Sequence, residues 1–329
     1  MGKRPWGPQQ ITRKYLHRTL IVLAGLLPVG CAADQAAPAR PVIGLSVLTL
    51  TNPFFQEIAD NMQKEAAKYG YDVVVVSGEF DPARQQNQVK DFIVQKVAAI
   101  VLCPCESKAI GPAIREAHDA GIAVFTCDIA CLASEAQFVV THVATDNYAG
   151  GKQAAHALLE ALGDAGGKIA ILHYPAAESC LLRVAGFKEV IEAHNRGGGA
   201  AVTIVDELPC GGVKDQGYKA AEDLVQAHPD LAGIFAINDP SALGARAALE
   251  KADKDDQVKI VGFDGQPEGK QAIKQGKIYA DPVQYPDRIG RETARIIARY
   301  FEGEKVPAQV LIPTGLYRRA DALKEQERK

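Results

Sequence analysis

From Val42 onward the chain alternates short apolar runs with segments of helical length. The runs are Val42–Leu48, Asp72–Val76, Ala98–Leu102, Ile122–Thr126 and Phe138–His142, followed by Lys168–His173, Val202–Val205, Leu231–Ala236, Lys259–Phe263 and Ile278–Val283. They are rich in β-branched residues and do not alternate apolar with polar, a pattern that predicts strands covered on both faces. Between them, Ala83–Gln95, Ala109–Ala120 and Tyr218–Ala227 are long enough for helices, and Phe54, Ile58, Met62 and Ala66 recur every four residues along one helical face. Strand–helix alternation of this kind predicts parallel sheets with helices on both sides. Ten strands are too many for one small sheet, so the expected fold is α/β with two doubly wound parallel-sheet lobes. The break falls near Ala144–Gly151, where a strand ends and no tight turn follows.

The first thirty residues follow a different pattern. Lys3, Arg4, Arg13, Lys14 and Arg18 form a basic stretch without an acid, and the apolar run Leu20–Leu27 follows, closed by Pro28 and Gly30. A basic start followed by a short apolar run reads as a secretory leader over residues 1–30, too short to span a membrane. Small residues leading to Cys31 resemble the bacterial lipobox, with Pro28 where that motif usually has Leu; lipidation of Cys31 and ordinary cleavage near Ala32–Ala33 are both open. Residues 31–41 are small, polar and proline-containing, and read as a tether.

Composition adds limits. Apolar residues make up 47% and charged residues 23% of the 329, enough for ordinary cores. With the leader's five cations removed from the 37 basic residues, 32 stand against 40 acids, a net charge of −8. A mildly acidic exported chain without clustered Lys and Arg is not built for nucleic acid.

In doubly wound sheets, ligands bind beyond the carboxyl ends of the strands. Those ends carry Asn52, Phe54 and Phe55, then Cys103 and Cys105, then Asp128 and Ile129, with Tyr174 and Arg183 further on and Asn238, Asp264 and Gln284 last. Carboxylates accept hydroxyl hydrogens, amides donate and accept, a guanidinium offers a planar fork, and ring faces cover the C–H face of a sugar. This is carbohydrate-binding chemistry. No nucleophile–base pair or acid/base pair of carboxylates suggests an enzyme, and no cofactor motif is present. Gly150–Lys152 and Asn195–Gly199 lack phosphate-loop spacing. Asn52 before Pro53 also reads as a helix N-cap. Phe54 and Phe55, about 100° apart on a helix, cannot share one direction. Asp239 reads as a cap before Pro240.

The stretches NPFFQEIADNMQKEAAKYGYDVVV, RVAGF, HPDLAGIFAINDPSALGARAAL, IVGFDGQPEGKQAIKQGKIYADPVQYPDRIG and FEGEKV resemble type I periplasmic substrate-binding proteins of the ribose-binding class, from about Val42 to about Gly315, nearly the whole chain after the leader. The resemblance implies two lobes joined by a three-crossing hinge, a sugar closed between them, and delivery to a membrane ABC permease by a monomeric protein in the periplasm or cell envelope. It implies a first lobe of residues 42–145 and 284–309, a second of 146–283 and 310–319, and a tail of 320–329. Motif by motif, it implies ligand contacts from Asn52, Phe54, Phe55, Asp128, Arg183, Asn238, Asp264 and Gln284.

The chain departs from the ribose binders at three sugar-facing places. Cys103 stands for an Asn, Ile129 for an Arg, and Cys210-Gly-Gly212 for an aromatic ring. A site built to bond a hydroxyl loses much affinity when one partner is gone. The expected ligand is therefore a deoxy sugar, another pentose or hexose, or a polyol, rather than ribose.

The cysteines after Cys31 all lie near strand ends, and in an exported protein they read first as disulfides. If the strand order follows the resembled family, Cys180–Cys210 is one bridge, and Cys103 or Cys105 with Cys127 or Cys131 makes two more. Their C-x-C and C-x3-C spacing has no nearby His, so no metal is expected. Two other functions stay open: a sugar sensor presenting its closed form to a chemoreceptor or histidine kinase, and a Cys-based metal or redox binding protein. A cytoplasmic sugar-responsive repressor would need a helix-turn-helix before Val42, where this chain has a leader.

Overall fold

The computed structural model describes residues 40–327. The expected leader, Cys31 and most of the expected tether lie outside them. The chain begins as β1 (Val42–Val47), α1 (Pro53–Ala66), β2 (Asp72–Ser77), α2 (Pro82–Gln95), β3 (Ala99–Leu102), α3 (Gly111–Asp119), β4 (Ala123–Cys127) and β5 (Thr141–Thr145). It crosses into α4 (Asn147–Leu162), β6 (Gly167–His173), α5 (Glu178–Arg196), β7 (Val202–Pro209), α6 (Lys214–Ala227) and β8 (Leu231–Ala236). Then come α7 (Asp239–Lys251), β9 (Lys259–Val261), α8 (Pro267–Lys274) and β10 (Ala280–Val283). It returns as α9 (Pro286–Phe301) and β11 (Gln309–Ile312), and crosses once more into β12 (Gly315–Arg318) and α10 (Arg319–Glu327).

Two six-stranded sheets result, ordered β11-β5-β4-β3-β1-β2 and β12-β10-β9-β8-β6-β7. All pairings are parallel except the edge pair β10–β12. The expected two-lobe α/β architecture is therefore present. Polar caps start its helices where the sequence offers them. Asn52 accepts the Phe54 N–H with Pro53 at the first helical position, and Asp81 accepts those of Ala83 and Arg84 ahead of Pro82. The β1 residues Ile43, Leu45 and Val47 are fully buried, as are Ile58 and Met62 of α1.

Three sequence expectations change. The run Phe138–His142 is not one strand: residues 136–138 form a 3-10 turn and the strand begins at Thr141. Phe138 packs on His118 of α3, ring centroids 5.1 Å apart, while Thr141 takes its register from Phe125 of β4. The first lobe extends past residue 309, because β11 pairs with β5 through Ile312. The expected tail is helical, with Ala322 of α10 buried. Strands β11 and β12 escape the sequence pattern because they are four residues long and half exposed.

Candidate functional site

The strands of both sheets end at one cavity between the lobes. The lobes meet there through backbone and side-chain bonds. Ser107 N–H donates to the Ala176 carbonyl at 2.9 Å, and the Glu178 N–H donates to Ser107 Oγ at 2.9 Å. The Tyr174 hydroxyl donates to the Cys105 carbonyl at 3.1 Å. These contacts describe a closed pair of lobes.

Arg183 organises the second-lobe wall. It sits on α5 where that helix crosses α4 closely, an approach that only glycine permits. A Cβ on Gly186 would lie 2.1 Å from the Tyr148 carbonyl oxygen, and one on Gly151 would lie 2.0 Å from that of Arg183. Phe187 stacks on Phe235 of β8 with centroids 4.5 Å apart. The R-x-x-G-F motif is therefore a polar group, a helix crossing and a core anchor in one short stretch. The buried guanidinium lies 3.9 Å over the Phe263 ring. Its Nε donates to Asn147 Oδ1 at 2.8 Å, and Nη1 donates to the Ile237 carbonyl at 2.6 Å and to Asp264 Oδ1 at 3.2 Å.

Asp264 also accepts from Gln284 Nε2 at 2.6 Å and from Gln266 Nε2 at 3.1 Å. Gln284 in turn takes the Thr145 hydroxyl at 2.7 Å, so two of the lobe crossings are tied to one carboxylate. Burial raises the Asp264 pKa, against the lowering effect of Arg183 and the amides. Asn238 caps α7: its Oδ1 accepts the Ser241 N–H at 3.0 Å and its Nδ2 donates to the Gly212 carbonyl at 2.9 Å.

The first-lobe wall is less satisfied. Asp128, directly after β4, is 4% exposed, and its Oδ1 has no hydrogen-bond partner among the described residues. Burial pushes its pKa up to about 7, with Arg183 pulling the other way. Asn52 caps α1 with its oxygen and keeps its amide N–H groups for the cavity. Phe54 and Phe55 are both buried, meet edge to face with centroids 5.2 Å apart, and both line the cavity.

All of the candidates named from the sequence therefore meet in this one cavity: Asn52, Phe54, Phe55 and Asp128 on one side, and Arg183, Asn238, Asp264 and Gln284 on the other. Sequence reasoning did not select Leu48, Phe80, Tyr174 or Ser179, which line it too. Tyr174 had a signal, its place at a strand end. Phe80 had none, because it sits at φ 60° beside Glu79 at φ 52°, where glycine is expected.

Asp239 is not the cap. It is the first residue of α7, fully buried, and accepts the Gln266 N–H at 2.6 Å. Burial, with the charge of Asp281 nearby, holds its carboxyl well above the usual range, and burial lifts Asp281 to about 7.

The six cysteines among the described residues are free and buried, so the expected bridges are not made. Cys210 directly follows β7, and its sulfur turns to Ser241 Oγ at 3.1 Å and the His173 carbonyl at 3.3 Å. Cys180 lies in the first turn of α5 and lines the cavity instead. Cys103, directly after β3, and Cys127, the last residue of the neighbouring β4, bring their sulfurs to 3.1 Å. Burial raises the thiol pKa of Cys105 and Cys180 to about 12, which keeps both protonated. No group of three or more metal-ligating side chains occurs among the described residues.

Residues 43–305 match the family described as periplasmic binding protein domain. The ribose import binding protein of Salmonella typhimurium is 34% identical over 292 residues, covering 89% of this chain and 95% of that protein. The D-apiose import binding protein of Paraburkholderia graminis is 29% identical, covering 88% of this chain and 91% of that one. Among solved structures, an ABC transporter solute binding protein from Mycobacterium smegmatis with bound glycerol is 31% identical, with a TM-score of 0.79 over 87% of this chain and 96% of that one. A carbohydrate transporter solute binding protein from Agrobacterium radiobacter in complex with D-arabinose is 26% identical, with a TM-score of 0.80 over 88% of this chain and 98% of that one.

Proposed function

We propose that this chain, which belongs to the periplasmic binding protein family and within it to the ribose-binding class, is the solute receptor of a sugar ABC importer. One observation carries the reading. The buried carboxylate of Asp128, with Oδ1 unpartnered, lines the same interlobe cavity as Arg183 and Asp264. A buried carboxylate oxygen without a partner is costly, and a ligand hydroxyl supplies the missing donor.

In this reading Asn52 and Asp128 bond hydroxyls from the first lobe, and Phe54 and Phe55 pack on the sugar's C–H face. Arg183, Asn238 and Asp264 answer from the second lobe, and Gln284 couples the ligand to a crossing. The ligand bridges both walls, favours the closed arrangement over an open one, and the closed form docks on the permease. Export by the leader and a monomeric state complete the proposal, with lipidation at Cys31 and cleavage near Ala32–Ala33 as the two alternatives for the mature N-terminus.

The test is dye-monitored melting of the chain from Ala32 onward against pentoses, hexoses, deoxy sugars and polyols. Dye is required because the single tryptophan, Trp6, leaves with the leader. A ligand at about 100 times its Kd adds roughly 2.7 kcal/mol of stability. A shift with one sugar that Asp128→Ala removes is the expected result. No shift with any sugar or polyol overturns the reading.

A further inference from the structure

The cavity differs between its two ends. Both sheets put the strands nearest the crossings at one edge, β11 and β5 in the first lobe and β12 and β10 in the second. The opposite edges are β2 and β7. The crossing end of the cavity is therefore the Arg183–Asp264–Gln284 cluster, rich in donors and acceptors. Leu48 directly after β1, Phe80 after β2 and Tyr174 directly after β6 line the other end.

That end is apolar. It is formed by Leu48 and Phe80 from the first lobe and by Tyr174 and Ala177 from the second. Phe80 and Tyr174 meet across the lobes edge to face, with centroids 6.5 Å apart. The Phe80 N–H is tied to the Leu48 carbonyl at 3.2 Å, which fixes the loop that carries the ring. The Tyr174 hydroxyl is already committed to the Cys105 carbonyl at 3.1 Å. Burial raises its pKa, so it stays a protonated donor to that carbonyl. Gly212, at φ 69°, adds no side chain over the Tyr174 ring, where a Cβ would stand 3.7 Å from a ring carbon. Leu48, Phe80, Tyr174 and Ala177 thus turn rings and aliphatic carbon to the ligand, and the one polar side-chain atom among them, the Tyr174 hydroxyl, is already bonded.

We infer that the cleft selects a methyl-terminated deoxy sugar, with its hydroxyls at the crossing end and its methyl carbon against Leu48, Phe80 and Tyr174. The inference rests on the sugar-receptor reading above and narrows its ligand class. A hydroxymethyl in place of the methyl would bring a hydroxyl against Leu48, Phe80 and Tyr174, none of which offers it a free partner. Discrimination of this kind in an apolar pocket amounts to about ten- to two-hundred-fold.

The experiment is isothermal titration calorimetry of the mature chain with matched pairs: L-fucose and L-galactose, D-fucose and D-galactose, L-rhamnose and L-mannose, with ribose and arabinose alongside. The expected result is one 6-deoxy sugar that binds at least tenfold more tightly than its hydroxymethyl parent and than either pentose. Phe80→Asn then brings that ratio close to one. Asn accepts the left-handed backbone at this position, so the variant keeps the fold. Tyr174→Phe retains the ring and removes only the interlobe bond, so it weakens both members of a pair and leaves their ratio unchanged. A parent sugar or pentose that binds as tightly as every deoxy sugar overturns the inference while upholding the receptor. Binding of none of these sugars, nor of any sugar or polyol in the melting panel, overturns both.

Discussion

Asp128 and Asp264 hold matching positions on facing walls of the cleft, and their surroundings are opposites. Each closely follows a strand, each is buried, and each has a positive φ, 62° and 99°, that few residues other than glycine adopt. Asp264 is held by Arg183, Gln284 and Gln266. Asp128 has an oxygen with no partner among the described residues. The difference teaches how such a cleft works. The second-lobe wall is preassembled, so a ligand meets groups already aimed. The first-lobe wall is incomplete until the ligand arrives, and completing it rewards closure.

The largest effect should come from breaking the assembled wall. Arg183→Ala strands the Asp264 carboxylate in a buried site and should cost about 3–5 kcal/mol in urea unfolding of the ligand-free protein. Arg183→Lys should recover little, because an ammonium cannot reproduce the fork of bonds to Asn147, Ile237 and Asp264. Asp128→Asn should leave the ligand-free protein folded and no less stable at pH 7, while costing about 1.5–3 kcal/mol of ligand affinity. Equal stability losses at the two sites would erase the contrast between the walls.

Titration sharpens the same contrast. Burial lifts Asp128 from the ordinary 3.8 to about 7, so the folded state holds a proton that the unfolded chain releases. Its stabilising contribution is complete below about pH 4 and is lost as the pH rises to about 7, an effect of a few kcal/mol. Stability of the ligand-free protein measured from pH 4.5 to 8 should fall, and Asp128→Asn should flatten part of that slope. The rest should belong to Asp239, Asp264 and Asp281, whose carboxyls burial also raises, Asp281 to about 7.

Oxidation probes the floor beneath Asp128. With sulfurs 3.1 Å apart, Cys103 and Cys127 are placed to join. Oxidised glutathione should take two hydrogens from this pair, leaving a disulfide and two reduced glutathiones, and the closed loop should add about 3 kcal/mol by chain entropy. Peptide mapping that finds Cys180–Cys210 instead would contradict the geometry. The smallest effect belongs to Asn52→Ala, which removes the α1 cap and should cost about 1 kcal/mol in thermal unfolding.

Much of this was legible in the chain. Unalternating apolar runs announce buried parallel strands, and the residues at their ends are the ones that line the cleft, since a doubly wound sheet sends all those ends one way. Asn52 as a cap is also readable, since it follows from local chemistry. Phe80 was not, because its left-handed backbone is imposed by packing rather than by residue type. The cysteine pairing was not, because strand neighbourhood brings backbones within reach but does not say where a sulfur turns. Asp239 was misread by one position: Asn238 caps the helix, and the acid beside it is carried into the core against Asp281.

The sequence by itself determined the two-lobe α/β class, the helix caps and the chemical character of the cleft, because periodicity, capping and side-chain chemistry are properties of short stretches. The tertiary structure alone decided which carboxylate is satisfied and which is left open. It also decided which end of the cavity is apolar, that the cysteines are packed thiols, and that β11 returns to the first sheet. Each of these depends on groups far apart in the chain being brought within a few ångströms, and no local pattern encodes that distance.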